Sequence, residues 1–230
     1  MRRLLLLVLP LLLLAACGDD AGDDGGEAGG DEVQTTPLTF GDGSEVWLRV
    51  ETGGGFVPMI YNLRQTPQLL LFDDGRLVRR VVDEDIDQVV PEFVEVQLDE
   101  SATAELLDEF AAVVDGPDVG DPMVTDLPTT TIDVTTRGER RSLSIYALDW
   151  TDGLSDGELA ARQAAIDAID GAYDLDGAEP YVPEEWFLVT EGGSTCTRLT
   201  SLDGVDLAED VAVIPVLTGE ERCPEGYVES

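Results

Sequence analysis

The sequence predicts an α+β fold: an antiparallel sheet of hairpins with two helices packed on one face, followed by a small disulfide-stapled C-terminal α/β subdomain. Three observations carry this. Short runs alternate apolar and polar residues with period two, two stretches repeat apolar residues at helical spacing between caps, and glycine-bearing turns join strands in pairs.

The first strand is read where Val46, Leu48 and Val50 alternate with Trp47, Arg49 and Glu51. Thr52-Gly53-Gly54-Gly55-Phe56 interrupts it, a second strand is expected from Val57 to Leu63, and a third from Gln68 to Phe72. Asp73-Asp74-Gly75 predicts a hairpin turn of the primed type, because Asp-Gly tolerates positive φ, with Leu77 to Val82 as the returning strand. A strand from Phe93 to Leu98 leads into a helix from about Ser101 to Val114, capped by Ser101 or Asp99 and stopped by Gly116-Pro117. Leu106, Leu107, Phe110, Val113 and Val114 give it one apolar face. Thr129 to Thr136, a turn at Arg137-Gly138 and Arg140 to Leu148 read as a second hairpin, with Ile132, Val134, Leu143, Ile145 and Ala147 on the core side. Ser155-x-x-Glu158 is a capping box that opens a second helix to about Ile169, with Leu159, Ala165, Ile166 and Ile169 inward. Beyond Asp176, Trp186 to Val189 and Val211 to Leu217 read as strands, with a short helical stretch near Asp206 to Asp210. The expected organisation is a signal peptide at 1–16, a tether at 17–44, an α+β domain at 45–176 and a C-terminal subdomain at 177–230.

Composition excludes more than any motif includes. The chain of 230 residues has 49 Asp+Glu against 13 basic residues, all arginine, for a formal net charge of -36, and it has no histidine and no lysine. It therefore lacks the usual general base, the commonest zinc ligand, the Schiff-base amine and the phosphate-loop lysine. A surface this acidic repels phosphate backbones, so nucleic acid is not an expected partner. There is no Gly-x-Ser-x-Gly elbow and no Asp-Thr-Gly or Asp-Ser-Gly signature. No catalytic set, metal site or cofactor is expected. Asp83, Asp85 and Asp87 come nearest to a calcium loop, but Gln88 stands where that loop needs glycine. With so many acids, a pair of carboxylates at hydrolytic distance is expected by chance, which leaves a carboxylate-dependent, glycosidase-like hydrolase as the alternative function.

The N-terminus reads as an address. Met1-Arg2-Arg3 is a positive n-region, Leu4 to Leu14 an apolar run broken only by Pro10, and Ala15-Ala16 a small-residue site. The run is shorter than the roughly 20 residues a spanning helix needs. Leu14-Ala15-Ala16-Cys17 resembles the bacterial lipobox, which implies cleavage before Cys17 and a diacylglyceryl anchor on its thiol. Two acyl chains give stable attachment where one gives marginal binding, so the expected location is the outer face of the cytoplasmic membrane. Removing 1–16 takes Arg2 and Arg3 and no acid, leaving 11 basic against 49 acidic residues, a formal -38. Residues 18–32, almost wholly Gly, Asp and Glu, read as a disordered, self-repelling tether. Once Cys17 is acylated, Cys196 and Cys223 remain as an even pair in an export compartment and are expected to form a disulfide, worth roughly 3–4 kcal/mol in the chain-entropy model. They lack the C-x-x-C spacing of a redox-active pair.

Two features are candidates for partner contact. The Gly53-Gly54-Gly55-Phe56 loop reads either as a strand connection needing glycine torsions or as a target-binding loop. Arg79 and Arg80 on the first hairpin and Arg140 and Arg141 on the second either pair with nearby acids and guard sheet edges or, if the hairpins adjoin, form a basic patch for a carboxylate or phosphate. Trp47, Trp150 and Trp186 read as core or rim packing.

Taken together, Val50-Glu51-Thr52-Gly53-Gly54-Gly55-Phe56, Phe72-Asp73-Asp74-Gly75-Arg76, Val124 to Thr131, and Pro215 to Glu220 followed by Cys223 resemble a family of lipoproteins of high-GC Gram-positive bacteria. That resemblance implies placement in the envelope and carries no known activity. A narrower likeness, resting on Gly54-Gly55-Phe56 and the element order over the first two-thirds of the folded region, is to emfourin-type inhibitors of protealysin-like metalloproteases. It implies a protein partner, a protease or an envelope protein. The expected function is a membrane-anchored, non-catalytic binding or inhibitor-like module, with the hydrolase and a passive envelope lipoprotein as alternatives.

Overall fold

The computed structural model describes residues 38–81, 89–190, 195–205, 207, 211–218, 223–224 and 228–229, all within the unit Pro37–Ser230. The signal segment, Cys17, most of the tether and the Asp83, Asp85, Asp87 group lie outside the described residues, as does most of the stretch near Asp206 to Asp210.

In chain order the elements are β1 (Val46–Gly53), α1 (Met59–Leu63), β2 (Leu69–Phe72), β3 (Arg76–Arg80), β4 (Phe93–Gln97) and α2 (Glu100–Val114). They continue with β5 (Thr129–Thr136), β6 (Glu139–Tyr146), α3 (Asp156–Tyr173), β7 (Glu179–Tyr181), β8 (Glu185–Thr190), β9 (Thr195–Leu199), β10 (Val211–Val216) and β11 (Val228–Glu229). A seven-stranded antiparallel sheet runs β6-β5-β1-β2-β3-β4-β7, and a second sheet runs β10-β8-β9-β11. The fold is the expected α+β arrangement of hairpins and packed helices with a disulfide-stabilised C-terminal region.

One face of the large sheet carries the helices. Leu48, Val50, Leu69, Leu71, Leu77, Ile132, Val134 and Ile145 point to that face and close a core with Leu106, Leu107 and Phe110 of α2 and Ala161, Ala165, Ala168 and Ala172 of α3. Leu70, Phe72, Val78 and Phe93 point to the other face and are covered by Leu217. This explains why β2 is an unbroken apolar run, since all four of its residues are buried and it has no solvent side. The expected inward residues Ile166 and Ile169 are only half-buried, whereas the four alanines are buried, so α3 enters the core by its smallest side chains and packs beside α2.

The caps are those the sequence indicates. The Asp99 carboxylate accepts from the Ala102 amide at 2.9 Å, and Ser155 and Glu158 form the reciprocal box. The second hairpin turns on Arg137 (φ 54) and Gly138 (φ 76), the two left-handed residues of a primed turn. The first hairpin differs from expectation in turn type. Only Gly75 has positive φ, and its amide donates to the Phe72 carbonyl at 3.0 Å, so Asp73-Asp74 form an ordinary turn closed by a glycine bulge.

The strand expected from Val57 to Leu63 is instead helix α1. Pro58 occupies the N-cap with φ -52, preset for a helix start, and Ile60 and Leu63, three apart, pack together against the second sheet. Met59 and Tyr61 remain exposed. The core they join contains Phe187, Val189, Ala212 and the Cys196–Cys223 disulfide, which spans 27 residues. Arg64 at the end of α1 donates to the Val211 carbonyl at 3.1 and 2.7 Å, tying the first third of the chain to β10. Strands β7, β9 and β11 were not expected from sequence. Among the described residues no helix is long and apolar enough to cross a membrane.

Gly75 and Gly138 test the turn chemistry separately. A methyl at Gly75 would sit 2.6 Å from the Phe40 ring and 2.7 Å from the Leu98 carbonyl, whereas one at Gly138 meets nothing within 4 Å. Gly75→Ala is expected to cost about 2–4 kcal/mol from torsion plus overpacking, and Gly138→Ala about 1–2 kcal/mol from torsion alone. Urea unfolding of the two variants checks the order; equal losses would overturn the account of the Gly75 site.

Candidate functional site

The site is organised by a residue that sequence reading passes over. Arg162 lies on the buried face of α3 among the alanines and is 2% exposed. Its Nε donates to the Val119 carbonyl at 2.6 Å, Nη1 to those of Ala147 and Leu148 at 2.6 and 3.3 Å, and Nη2 to those of Gly120 and Tyr146 at 3.1 Å each. Burial pulls the guanidinium below arginine's usual range, while Asp121 and Glu158 work against that fall. The five bonds draw the 119–120 loop and the end of β6 onto the helix. At that point the chain turns through Ala147, held at φ 50, whose amide donates to the Pro128 carbonyl, and Trp150 closes the turn onto the Ala147 carbonyl at 2.9 Å.

That turn forms one wall of a cleft of about 360 Å³. Leu127 and Pro128 lead into β5 along another wall, Ile166, Ile169 and Asp170 come from α3, and Thr52, Gln68 and Thr130 form the sheet side. Asp149 and Trp150 stand at the mouth, both exposed. Thr52 Oγ1 donates to Gln68 Oε1 at 3.3 Å, so in its 2.8 Å contact with Thr130 Oγ1 it is Thr130 that donates. Tyr173 fixes the backbone behind Gln68 by donating to its carbonyl at 3.2 Å; burial pushes that phenol up to about 12, so it stays protonated.

The glycine loop adjoins this wall. Gly54 and Gly55 have φ 81 and 85, and a methyl on Gly55 would press on Asp126 O and Pro128 N at 3.3 Å. The Phe56 amide donates to the Asp126 carbonyl at 3.2 Å, and Tyr146, through its hydroxyl, holds the same segment at Val124 and Leu127. Gln65 accepts from the Gly54 amide at 3.3 Å and is itself held by Asn62. The braced backbone presents Phe56, 87% exposed, and Met59, 60% exposed, with Val57 and Tyr61 beside them.

The four arginines do not meet. β3 and β6 are separated by β2, β1 and β5, about 19 Å at ordinary strand spacing, so the hairpins do not adjoin and the basic patch does not form. Arg79 is buried and caps the C-terminus of α3, donating to the carbonyls of Ala172 and Leu175 at 2.9 Å and to that of Tyr173. Its charge sits on the negative end of the helix dipole, facing away from any partner. Arg140 pairs with Asp133 at 3.0 Å, and Arg141 with Asp115 and Thr136. Arg80 is half-buried at the end of β3.

Asp149, Trp150 and Asp170 were missed because nothing local distinguishes them from other surface acids and aromatics; strand order alone brings them to one cleft. Arg162 carried a fainter signal, a lone charge on an alanine face. Among the described residues no group of three or more His, Cys, Asp or Glu is arranged to hold a metal ion. No protein-family model matches the chain, and no curated protein is significantly similar to it.

Arg162→Met is expected to take the guanidinium from five carbonyls, of which that of Ala147 keeps the Trp150 amide, and to destabilise the chain by at least about 3 kcal/mol. Arg162→Lys should recover only part of this, because one ammonium cannot span five acceptors. A Met variant within about 1 kcal/mol of the parent in urea unfolding would show that the network is dispensable.

Proposed function

We propose that the chain is a membrane-anchored extracytoplasmic lipoprotein whose folded part is a non-catalytic binding module, docking a partner protein through the loop from Gly54 to Tyr61. The observation that carries the binding reading is that loop itself. Exposed apolar side chains on a strongly acidic protein oppose solubility, and here they are gathered on a backbone braced by Asp126 and Gln65. A rigid loop carrying an aromatic anchor loses little entropy on docking, which favours a partner of the protease or envelope-protein kind. The anchor reading is supported by the lipobox resemblance at Leu14 to Cys17 and by the acidic tether.

A second reading, a hydrolase using two carboxylates, is favoured by one observation: Asp149 and Asp170 line the same cleft. Turnover of chromogenic glycosides that disappears in Asp149→Asn or Asp170→Asn would replace the binding reading.

Two experiments test the proposal. With Cys17→Ser, the protein is expected to lose acyl labelling and move from the membrane to the soluble fraction; unchanged membrane association would overturn the anchor. A photo-crosslinking residue at position 56 or 59 is expected to trap one discrete partner in envelope extracts. The same residue at Gln163, on the exposed side of α3, should trap none, and Phe56→Ser with Met59→Ser should weaken capture by the full-length protein at least tenfold. Equal capture from positions 56 and 163 would overturn the loop as the docking surface.

A further inference from the structure

We propose that the cleft between α3 and the start of β5 binds a small organic cation, a protonated amine carried on an apolar body. This goes beyond the loop's partner and does not depend on it. The cleft's volume of about 360 Å³ lies at the small end of ligand sites, which run from about 300 to 1,000 Å³.

Three features select the charge of the occupant. The ionisable groups that line the cleft are Asp149 and Asp170, with no arginine among the lining residues, and neither carboxylate has an ion-pair partner among the described residues. Arg162, which reaches the carbonyls of the lining residues Ala147 and Leu148, is spent on main-chain acceptors and is 2% exposed, so it offers nothing to an anion.

The hydrogen-bonding inventory points the same way. Thr130 spends its hydroxyl proton on Thr52, and Thr52 spends its own on Gln68, so both threonines turn only lone pairs outward. The indole N–H of Trp150 is committed to the Asp152 carbonyl at 3.1 Å. Of the lining side chains, only the Gln68 amide keeps donors to offer. An acceptor-rich cleft suits a ligand made of donors, and an ammonium group is that ligand. Leu127, Pro128, Ile166 and Ile169 supply apolar contact for its stem, and a hydroxyl-dense sugar would leave those walls against polar groups. Trp150, a partly exposed lining residue, supplies an aromatic ring with which a cation can interact.

Titration of the Cys17→Ser chain with n-hexylammonium, followed by the indole N–H signals of its three tryptophans, tests the proposal. Trp150→Phe assigns the signal of interest. The Trp150 signal is expected to move saturably while those of Trp47 and Trp186 stay fixed, at least tenfold more tightly than with 1-hexanol and more weakly as salt is raised. Hexanoate should give no saturable shift. Asp149→Asn with Asp170→Asn should weaken hexylammonium at least tenfold, and both positions are exposed, so the fold is retained. Phe56→Ser with Met59→Ser should leave amine binding unchanged, which separates this site from the docking loop. No saturable shift, equal binding of 1-hexanol, tighter binding of methyl glucoside, or indifference to the double substitution would each overturn it.

Discussion

A guanidinium taken out of water must be given acceptors, and the structure is arranged around meeting that demand for Arg162. Among the described residues no carboxylate pairs with it; five main-chain carbonyls do, drawn from two loops and the end of a strand. Carbonyls cannot move independently of the chain that bears them, so satisfying one side chain fixes the path of residues 119–120 and 146–148 together. The alanine face of α3 makes this possible. Small side chains let α3 pack closely against α2, and the long arginine stem reaches the loops beyond. The left-handed Ala147, the Trp150 turn and the cleft are downstream of that geometry.

Arg79 plays the corresponding part at the other end of the same helix, where it collects carbonyls at the C-terminus. Several of the other arginines are also engaged internally: Arg49 with Glu51, Arg76 with Asp74 and the Phe72 ring, and Arg198 with Glu185, Glu229 and the Phe187 ring. Individually these exposed pairs are worth little. Collectively they consume the scarce positive charge within the fold, so the excess of acids faces outward and sets the long-range field. Against that field, the glycine loop stands out as an apolar patch and the cleft as a negative one, adjacent through the shared 126–128 segment.

Much of this was legible from sequence wherever the signal was local. Arg137-Gly138 fixed a hairpin, Asp99 and Ser155 with Glu158 marked helix starts, and counting cysteines paired Cys196 with Cys223. What failed was non-local or mixed in period. Val57 to Leu63 looked like a strand because its residues are apolar, but Pro58 sets a helical start and Ile60 with Leu63 supplies a helical face. The arginine patch failed because adjacency of hairpins is decided by which strand inserts between them, and β1 does so. β9 was hidden because only Cys196 on it is buried, leaving no alternation to read. Of the site, the glycine loop was visible as an exception to chain propensity, whereas Asp149, Trp150 and Asp170 became neighbours only through packing.

The place of β1 in the sheet bears on how the molecule can be assembled. The first strand of the fold lies near its middle, and its second neighbour comes much later in the chain: Thr52 touches Thr130 across 78 positions of sequence. α1 likewise waits for partners from β8 and β10. A chain emerging N-terminus first, from a ribosome or through a pore, therefore cannot close its core until more than half of it has passed. Early fragments have only the β1-β2-β3-β4 meander to hold them, and the closure of long loops makes the final step slow. Such an order of assembly keeps the polypeptide threadable through its first half; α3 then delivers Arg162 to the carbonyls that wait for it, and β8 and β10 close over α1 last.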